Sequence, residues 1–320
     1  MEIDELLQSM TALSFSSEFE VVIIEDGSTE TSENVIQKYS DYLKISYYQK
    51  ENSGPGDSRN YGMQRARGNY FLVLDSDVIL PSDYLIKVAE FLENRFVHCF
   101  GGPDDAHKDF TDIQKAISFS MTSFLTTGGI RGSKRSVGKF QPRSFNMGIS
   151  KEAFKKSNGF GNIHPGEDPD LTIRLWKLGY KTALIPEAKV FHKRRISWKK
   201  FQTQVYKFGL VRPILNKWHP ETSKVTYWFP LAFMMYSIVS LLLVIAGYWI
   251  FLMFLLLYCI LIIAGATIRF KNIKIGLLAV KAVMIQYYGY AKGFITSYYY
   301  IHVQKKKPEK TFTFLFFDSK

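Results

Sequence analysis

Cysteine is scarce in this sequence of 320 residues, which contains only Cys99 and Cys259. Because Cys259 lies inside a long apolar stretch, we expect no disulfide bond and a reducing compartment. The first residues are acidic and contain no sustained apolar run, so we expect no signal peptide. Together these absences exclude a small secreted protein stabilised by disulfide bonds.

Charged residues are absent between Val225 and Ile268. This stretch is long enough for two transmembrane helices of roughly 20 residues each, which we predict at about 227–246 and 249–268. Positive residues follow from Arg269 onward, so a hairpin that leaves and re-enters the cytoplasmic side is expected. The next segment, about 275–301, is apolar but carries two lysines. We favour an interfacial or re-entrant helix there over a third span.

Acidic residues become scarce after residue 130, although the whole chain has a net charge of +12. Residues 1–130 contain 10 Lys and Arg against 21 Asp and Glu, residues 131–217 contain 20 against 5, and residues 218–320 contain 11 against 3. The basic middle block precedes the apolar stretch, which indicates a surface for anionic lipid headgroups or a phosphorylated substrate. No nucleic-acid-binding motif is present, so nucleic acid is not the predicted partner.

An apolar run of strand length, Tyr70–Leu74, ends abruptly in Asp75-Ser76-Asp77. We predict a buried strand of an α/β sheet. Carboxylates two residues apart share one side of an extended chain, and ligands of such sheets bind beyond the strand ends. Two interpretations remain open for the pair: a divalent cation with phosphate oxygens, or an ordinary acidic loop.

Strand-end and loop residues elsewhere have similar alternatives. Asp26 follows the first predicted strand and is either a nucleotide contact or a turn residue. The loop 52–60 opens a helix whose first amides, with Arg59, would suit a diphosphate. It is not a P-loop, because no Gly-Lys-Ser/Thr follows.

Asp168, near the start of a predicted helix, could be its N-cap with Pro169 in the first turn. The same position would also keep a general base ionised. His192 precedes a basic run and is either a metal ligand or a surface residue.

The remaining pattern predicts alternating strands and helices. We expect a long loop at 101–145, facing substrate or membrane, and a basic amphipathic helix at 198–218. Strands are predicted at 19–24, 45–49, 145–149, 181–185 and 189–192. Helices are predicted at 2–13, from the loop 52–60 to about 67, and at 83–94, 151–156 and 167–178.

In their fixed order these motifs resemble those of family 2 glycosyltransferases, which have the GT-A fold. The resemblance covers roughly residues 1–215, and the apolar tail is similar to that of membrane-anchored bacterial members. Each motif is weak alone, whereas the ordered set is specific. The motifs are Glu25-Asp26-Gly27-Ser28, Asn52 to Asn60, Ala66 to Tyr70, Asp75-Ser76-Asp77, Asn158-Gly159-Phe160, Glu167-Asp168 and His192.

The resemblance implies a role for each matching position. Asp168 would be the catalytic base, and Asp77 would be the main metal ligand. The nucleotide-sugar contacts would be Glu25, Asp26, Arg59, Asp75 and Ser76. The metal, Mg²⁺ or Mn²⁺, would be held by Asp77, Asp75 and His192. The acceptor side would include Glu167, Asn146 and Gly159.

Two departures from the family pattern are visible. Members normally begin with a strand ending in a Pro-x-Tyr-Asn-like motif, whereas this sequence starts at what resembles the following helix. Either the start codon is misassigned, the sequence is truncated, or the first strand is absent. Processive members carry Gln-x-x-Arg-Trp after the base, of which only Gln204 is matched. Polymer synthesis through a pore is therefore not expected.

The resulting prediction is an inverting, metal-assisted hexosyltransferase of the bacterial inner membrane, with its catalytic domain in the cytoplasm. It would act on a nucleotide-diphosphate sugar and on a lipid-linked or cell-envelope glycan, in contact with membrane lipids. The alternatives are a nucleotidyltransferase, whose basic Gly-rich loop is not seen, and an inactive membrane scaffold. The predicted divisions are a GT-A α/β domain at 1–217, a membrane region at 218–304 and a basic tail at 305–320.

Overall fold

The computed structural model describes residues 2–105, 110–128, 140–192 and 197–317. The chain forms two compact units. The first comprises Met1–His107, Ile130–Lys193 and Phe314–Lys320, and the second comprises Lys108–Gly129 and Arg194–Thr313. Each unit is therefore built from segments that are separated in the sequence.

Strands occur in the first unit, and they alternate with helices as the pattern predicts. In chain order they are β1 (Val21–Asp26), β2 (Ile45–Lys50), β3 (Tyr70–Leu74), β4 (Val78–Ile79), β5 (Cys99–Gly101), β6 (Asp104–Asp105), β7 (Asn146–Ser150), β8 (Thr182–Leu184) and β9 (Val190–His192).

These strands form three separate sheets. β1 and β2 pair in parallel with each other. A four-stranded sheet has the order β3-β7-β5-β8, in which β7 is antiparallel to both β3 and β5, and β8 is parallel to β5. The third sheet has the order β4-β9-β6. It brings β4, which follows β3 by three residues, against β9, the last strand among the described residues.

The described helices fall in both units. They are α1 (Glu2–Thr11), α2 (Glu33–Gln37), α3 (Pro55–Arg65), α4 (Tyr84–Asn94), α5 (Asp112–Thr122), α6 (Phe124–Thr127), α7 (Lys151–Ser157), α8 (Glu167–Lys177), α9 (Trp198–Trp218), α10 (Phe229–Ile245), α11 (Ile250–Phe270), α12 (Ile273–Tyr298) and α13 (Pro308–Thr311).

The core of the first unit lies on both sides of the four-stranded sheet. One cluster contains Phe71 and Val73 of β3, which alternate with less buried neighbours, together with Leu171 and Leu175 of α8. A second cluster packs around Phe100 of β5 on the other side. Because successive strand residues point to opposite faces, one buried strand contributes to both clusters.

In the second unit α9 and α12 approach closely at glycines. A side chain added at Gly209 would collide with the carbonyl oxygen of Tyr290, and one added at Gly293 with that of Tyr206. Gly289 lies in the same way against Val205. Small residues let helix backbones approach each other, so these glycines determine where the two helices cross.

Two helical segments are long and apolar enough to cross a membrane, Val225–Ile245 and Ile250–Phe270, with mean hydropathies of 2.1 and 2.7. In each, only 11% of the most apolar window is buried within the protein. These segments coincide with the predicted pair of spans within a few residues. The predicted division into 1–217, 218–304 and 305–320 stays a prediction.

Most predicted elements are confirmed with small shifts of their ends, and the strand at 70–74 is confirmed without a shift. The prediction of a long loop at 101–145 is wrong in part, because α5 and α6 lie within it. α5 has a complete capping box formed by Thr111 and Gln114. Part of the predicted loop, 106–109 and 129–139, lies outside the described residues.

Candidate active site

Asp75, Asp77 and His192 lie together at the end of β3. Asp75 follows the strand directly and Asp77 precedes β4, while the β4–β9 pairing puts His192 opposite Val78. One ligand atom from each residue lies within 4.8 Å of the other two, and His192 Nε2 is 3.2 Å from Asp77 Oδ1. The structure therefore contains the predicted three-residue group, and its half-buried carboxylate and imidazole atoms fit a divalent cation.

Asp104 of β6 lies behind His192, and the sequence analysis did not identify it. Its Oδ2 is 3.8 Å from His192 Nδ1, and its side chain is only 1% exposed. The ring of His192 also stacks on Phe145, with ring centroids 4.7 Å apart. Stacking on Phe145 limits rotation of the imidazole, and Asp104 places a carboxylate near Nδ1.

Arg59 of α3 joins two parts of the site. Its Nη2 donates to Asp75 Oδ1 at 2.8 Å, and its Nη1 donates to Glu167 Oε1 at 3.0 Å. Burial works against the charge of Arg59, but Asp75, Glu167 and Asp168 outweigh it and raise the pKa of the guanidinium. Arg59 is thus a permanent cation held between carboxylates, and its predicted contact with the nucleotide stays a prediction.

Glu167 and Asp168 open α8, whose N-cap is Gly166 at φ 129°. The alternative that Asp168 is itself the N-cap is therefore wrong. Burial disfavours ionised Glu167, but the hydrogen bond and charge of His164 and the charge of Arg59 outweigh it and lower the pKa of Glu167. His164, whose Nδ1 is 3.0 Å from Glu167 Oε1, was also missed, because a lone His carries no motif signal.

Asp168 is in the opposite electrostatic situation. Its Oδ1 is shielded from solvent and has no hydrogen-bond partner among the described residues. Burial first, and then the negative charge of Glu167, raise the pKa of Asp168, although Arg59 and Arg143 act in the other direction. A carboxylate with a raised pKa and an open acceptor atom is suited to take up a proton near neutral pH.

Asp26 and Glu25 end β1, and both accept hydrogen bonds from neighbouring loops. Asp26 Oδ1 accepts from Lys50 Nζ at 2.6 Å and from the amide of Ser53 at 3.0 Å, while its Oδ2 accepts from Gly54 at 3.0 Å. Burial opposes the charge of Asp26, but these bonds prevail and lower its pKa. Asp26 therefore anchors the loop before α3, so two of the loop amides are already occupied.

Glu25 accepts hydrogen bonds from the hydroxyl of Ser28 and from the amide of Ser32, the latter at 3.0 Å. These bonds hold its carboxylate against the turn that follows β1. Ser76 lies in the loop before β4, between Asp75 and Asp77. The predicted nucleotide contacts of Glu25, Asp26 and Ser76 stay predictions.

Asn146 and Gly159, which are predicted on the acceptor side, both make contacts that support the fold. Asn146 is fully buried, accepts from the hydroxyl of Tyr84 at 2.7 Å and donates to Ala188 at 2.8 Å. Gly159 has φ 65°, and a side chain there would collide with Asn60. The side chain of Asn146 is therefore engaged within the core, and its predicted contact with acceptor gains no support from this position.

Comparison with known proteins identifies the domain. Residues 2–157 match the model of the family described as glycosyl transferase family 2. The poly(ribitol-phosphate) beta-N-acetylglucosaminyltransferase TarS of Staphylococcus aureus is 35% identical over 94 residues, 28% of this chain and 16% of TarS. The putative teichuronic acid biosynthesis glycosyltransferase TuaG of Bacillus subtilis is 34% identical over 102 residues, 31% of this chain and 40% of TuaG. The chain thus spans less than half the length of either relative.

A solved structure supports the fold over a longer range. The mannosyltransferase PcManGT from Pyrobaculum calidifontis, in complex with GDP-Man and Mn²⁺, matches with a TM-score of 0.61 at 14% identity, covering 96% of this chain and 84% of that one. The likeness establishes the GT-A-like α/β architecture with its helical C-terminal part. Residues 2–157 therefore form a domain of the glycosyl transferase family 2 type, and the fold of the solved structure agrees with this assignment.

Proposed function

We propose that the chain transfers a sugar, with inversion, from a nucleotide-diphosphate sugar to a hydroxyl group of a lipid-linked or cell-envelope glycan. The observation that carries the proposal is the double ion pair of Arg59. It joins Asp75 of the metal-ligand group to Glu167, the neighbour of Asp168, at 2.8 and 3.0 Å. A site for an anionic donor and a site for a base are thereby held by one side chain.

The relatives and the charge pattern support the proposed donor and acceptor classes. TarS is named as a poly(ribitol-phosphate) beta-N-acetylglucosaminyltransferase, and TuaG as a putative glycosyltransferase of teichuronic acid biosynthesis. PcManGT was solved with a nucleotide-diphosphate sugar and Mn²⁺. The basic block before the apolar helices suits an acceptor or a membrane surface that carries phosphate. The donor sugar is left to experiment.

Asp75, Asp77 and His192 would hold Mg²⁺ or Mn²⁺. Bound there, the ion would supply neutralisation of the charge that develops on the departing nucleoside diphosphate. Arg59 keeps Asp75 in position through its short hydrogen bond, and Phe145 keeps the His192 ring in position. The protein residues thus present a preorganised anionic pocket, which lowers the cost of assembling the site during reaction.

Asp168 would act on the acceptor. Its open Oδ1 accepts the proton of the attacking hydroxyl, whose oxygen forms the new bond to the anomeric carbon. The bond between that carbon and the diphosphate oxygen breaks on the opposite side, and the electron pair leaves with the nucleotide. Attack opposite to the leaving group inverts the configuration.

The proposed organisation has the catalytic domain at 1–217 in the cytoplasm, and membrane helices at about 227–246 and 249–268 in the bacterial inner membrane. The segment 275–301 lies at the membrane interface, and the lysine-rich segment 305–320 stays on the cytoplasmic side. Lipid contact through the apolar faces of Val225–Ile245 and Ile250–Phe270 agrees with their small buried share.

The test uses the detergent-purified chain and a panel of nucleotide sugars, with Mn²⁺, Mg²⁺ or EDTA, and measures the nucleoside diphosphate released. We expect release from one donor, with metal and with a cell-envelope acceptor fraction.

Asp168→Asn should remove turnover but leave donor binding, whereas Asp77→Ala should weaken metal-dependent donor binding in calorimetry. Asp41→Asn, on the exposed surface, is the matched control.

Normal turnover of Asp168→Asn would contradict the role of Asp168 as base. Metal-independent donor binding that Asp77→Ala leaves unchanged would contradict the metal site. No release from any donor, with or without acceptor, would favour the inactive scaffold.

A further inference from the structure

The segment Phe314–Phe317, called here the strap, follows α13 in the sequence but belongs to the first unit. It makes an antiparallel β-bridge between Phe316 and Ile163. The amide of His164 donates to the carbonyl of Leu315 at 2.7 Å, and the amide of Phe317 donates to that of Asn162 at 3.0 Å. The strap lies outside residues 2–157, the part matched by the family.

The strap is well buried at its centre. Leu315 is 0% exposed, and Ile163, the bridge partner of Phe316, is 1% exposed. Burial of an aliphatic side chain of this size stabilises the folded contact through the hydrophobic effect. The strap is therefore fixed to the loop before α8 by apolar packing as well as by hydrogen bonds.

One end of the strap reaches the part of the site that contains Glu167 and Asp168. The strap holds the backbone of His164, and His164 Nδ1 in turn lies 3.0 Å from Glu167 Oε1. The same oxygen accepts from Arg59. A displacement of His164 would therefore alter the carboxylate that orients Arg59, next to Asp168.

The other end reaches the loop before α3. The ring of Phe317 lies against Gly54, in the space that a side chain at this position would occupy. Gly54 has φ 88° and is the N-cap of α3, and its amide donates to Asp26 Oδ2. Phe317 also faces the ring of His164, with centroids 6.4 Å apart. A single aromatic side chain thus contacts both loops that flank the site.

We propose that the strap is a positioning element of the transfer reaction. The ring of Phe317 holds the loop before α3 (the Gly54 loop) and the loop before α8 (the His164 loop) in fixed positions relative to each other. The proposal rests on the proposed function, since it assigns the Gly54 loop to the donor side and Glu167 and Asp168 to the acceptor side. Without the ring, both loops gain freedom, so that Arg59 and Asp168 lose their relative alignment. Small misplacements of catalytic groups can cost about 100-fold in rate.

The first test compares Phe317→Ala with the wild type, using the donor found in the panel. We expect kcat/KM to fall about tenfold or more, with a raised KM for donor as well as a lower kcat. Phe314→Ala is the matched control, because Phe314 belongs to the same strap but is 56% exposed. Phe317→Leu retains apolar packing without the aromatic ring and should recover part of the activity.

A double-mutant cycle separates positioning from general loss of structure. If Phe317 acts through the His164 loop, the effects of Phe317→Ala and His164→Gln on kcat/KM will be clearly less than additive. Additive effects would overturn the proposal, and so would wild-type kinetics of Phe317→Ala. The thermal unfolding midpoint is measured for each variant. The coupling between Phe317 and His164 in kcat/KM is calculated only from variants that keep the wild-type midpoint. If Phe317→Ala fails to fold, Phe317→Leu replaces it in the cycle.

The two proposals fail in distinguishable ways. A wild-type chain that releases no nucleoside diphosphate contradicts the proposed function and removes the basis of the strap proposal. An active wild-type chain with an equally active Phe317→Ala variant contradicts the strap proposal alone.

Discussion

At the scale of single residues, Glu167 and Asp168 are neighbours with pKa values shifted in opposite directions. His164 and Arg59 stabilise the negative charge of Glu167, whereas burial and that same charge destabilise ionised Asp168. Adjacent carboxyl groups with divergent pKa values are typical of acid–base sites. The raised pKa favours Asp168 over Glu167 as the proposed base, because a carboxylate with a higher pKa takes up a proton more readily.

A pH dependence follows from the raised pKa of Asp168. As a base it must be ionised, so activity is lost as the pH falls through that pKa, at a higher pH than for an ordinary Asp with a pKa of about 3.9. Glu167→Gln removes the neighbouring negative charge and should move the acidic limb of the kcat/KM profile to lower pH. The profile is measured by nucleoside diphosphate release between about pH 4 and pH 8, which is roughly the range in which carboxyl and His groups titrate.

Glu187→Gln, a change on the exposed surface, should leave that limb unchanged. An acidic limb that stays in place in Glu167→Gln would show that another group controls it.

The predictability of individual site residues depended on their separation in the sequence. Asp75 and Asp77 could be recognised because they share one short segment after an apolar strand. The partners of Arg59 could not, because they lie 16 and 108 residues away and are brought together by packing. Asp104 and His164 likewise carry no local pattern that distinguishes them from surface residues.

At the scale of secondary-structure elements, the close crossing of α9 and α12 depends on glycine residues. Gly293→Leu would drive a side chain into the backbone of Tyr206 and Leu210. Such overpacking costs roughly 1–3 kcal/mol, so the thermal unfolding midpoint in detergent should fall. Lys292→Leu adds the same side chain at an exposed neighbour in α12 and should leave the midpoint close to that of the wild type. Equal midpoints for both variants would contradict the crossing.

Elements were predictable where periodicity was strong and were missed where it was weak. β3 and α8 were found because their apolar spacing and end signals agree. α5 was missed because Asp112, Gln114 and Lys115 give its first turn a polar composition. Its buried face, which includes Ile117 and Phe119, packs in a cluster with residues of α9, α11 and α12. A local pattern cannot reveal a partner that distant in the sequence.

At the scale of the whole molecule, the uneven charge and the apolar helices predict how the chain is attached to membranes. Val225–Ile245 and Ile250–Phe270 are mostly unburied within the protein, so we expect them to lie in an apolar surrounding. We expect the chain to stay in the membrane pellet after washing with concentrated salt and with alkaline carbonate. Release by salt alone would indicate attachment through the basic surface, because salt screens charges but does not weaken apolar burial.

The sequence by itself determined the class of fold, the apolar helices, the charge distribution and the order of the motifs. Each of these depends on composition or on spacings within a few turns of helix or strand. Only the tertiary structure decided that His192 joins Asp75 and Asp77, that Arg59 connects them to Glu167, and that Phe317 lies against Gly54. Those contacts join distant segments through sheet pairing and side-chain packing, and their geometry exists only after the chain has folded.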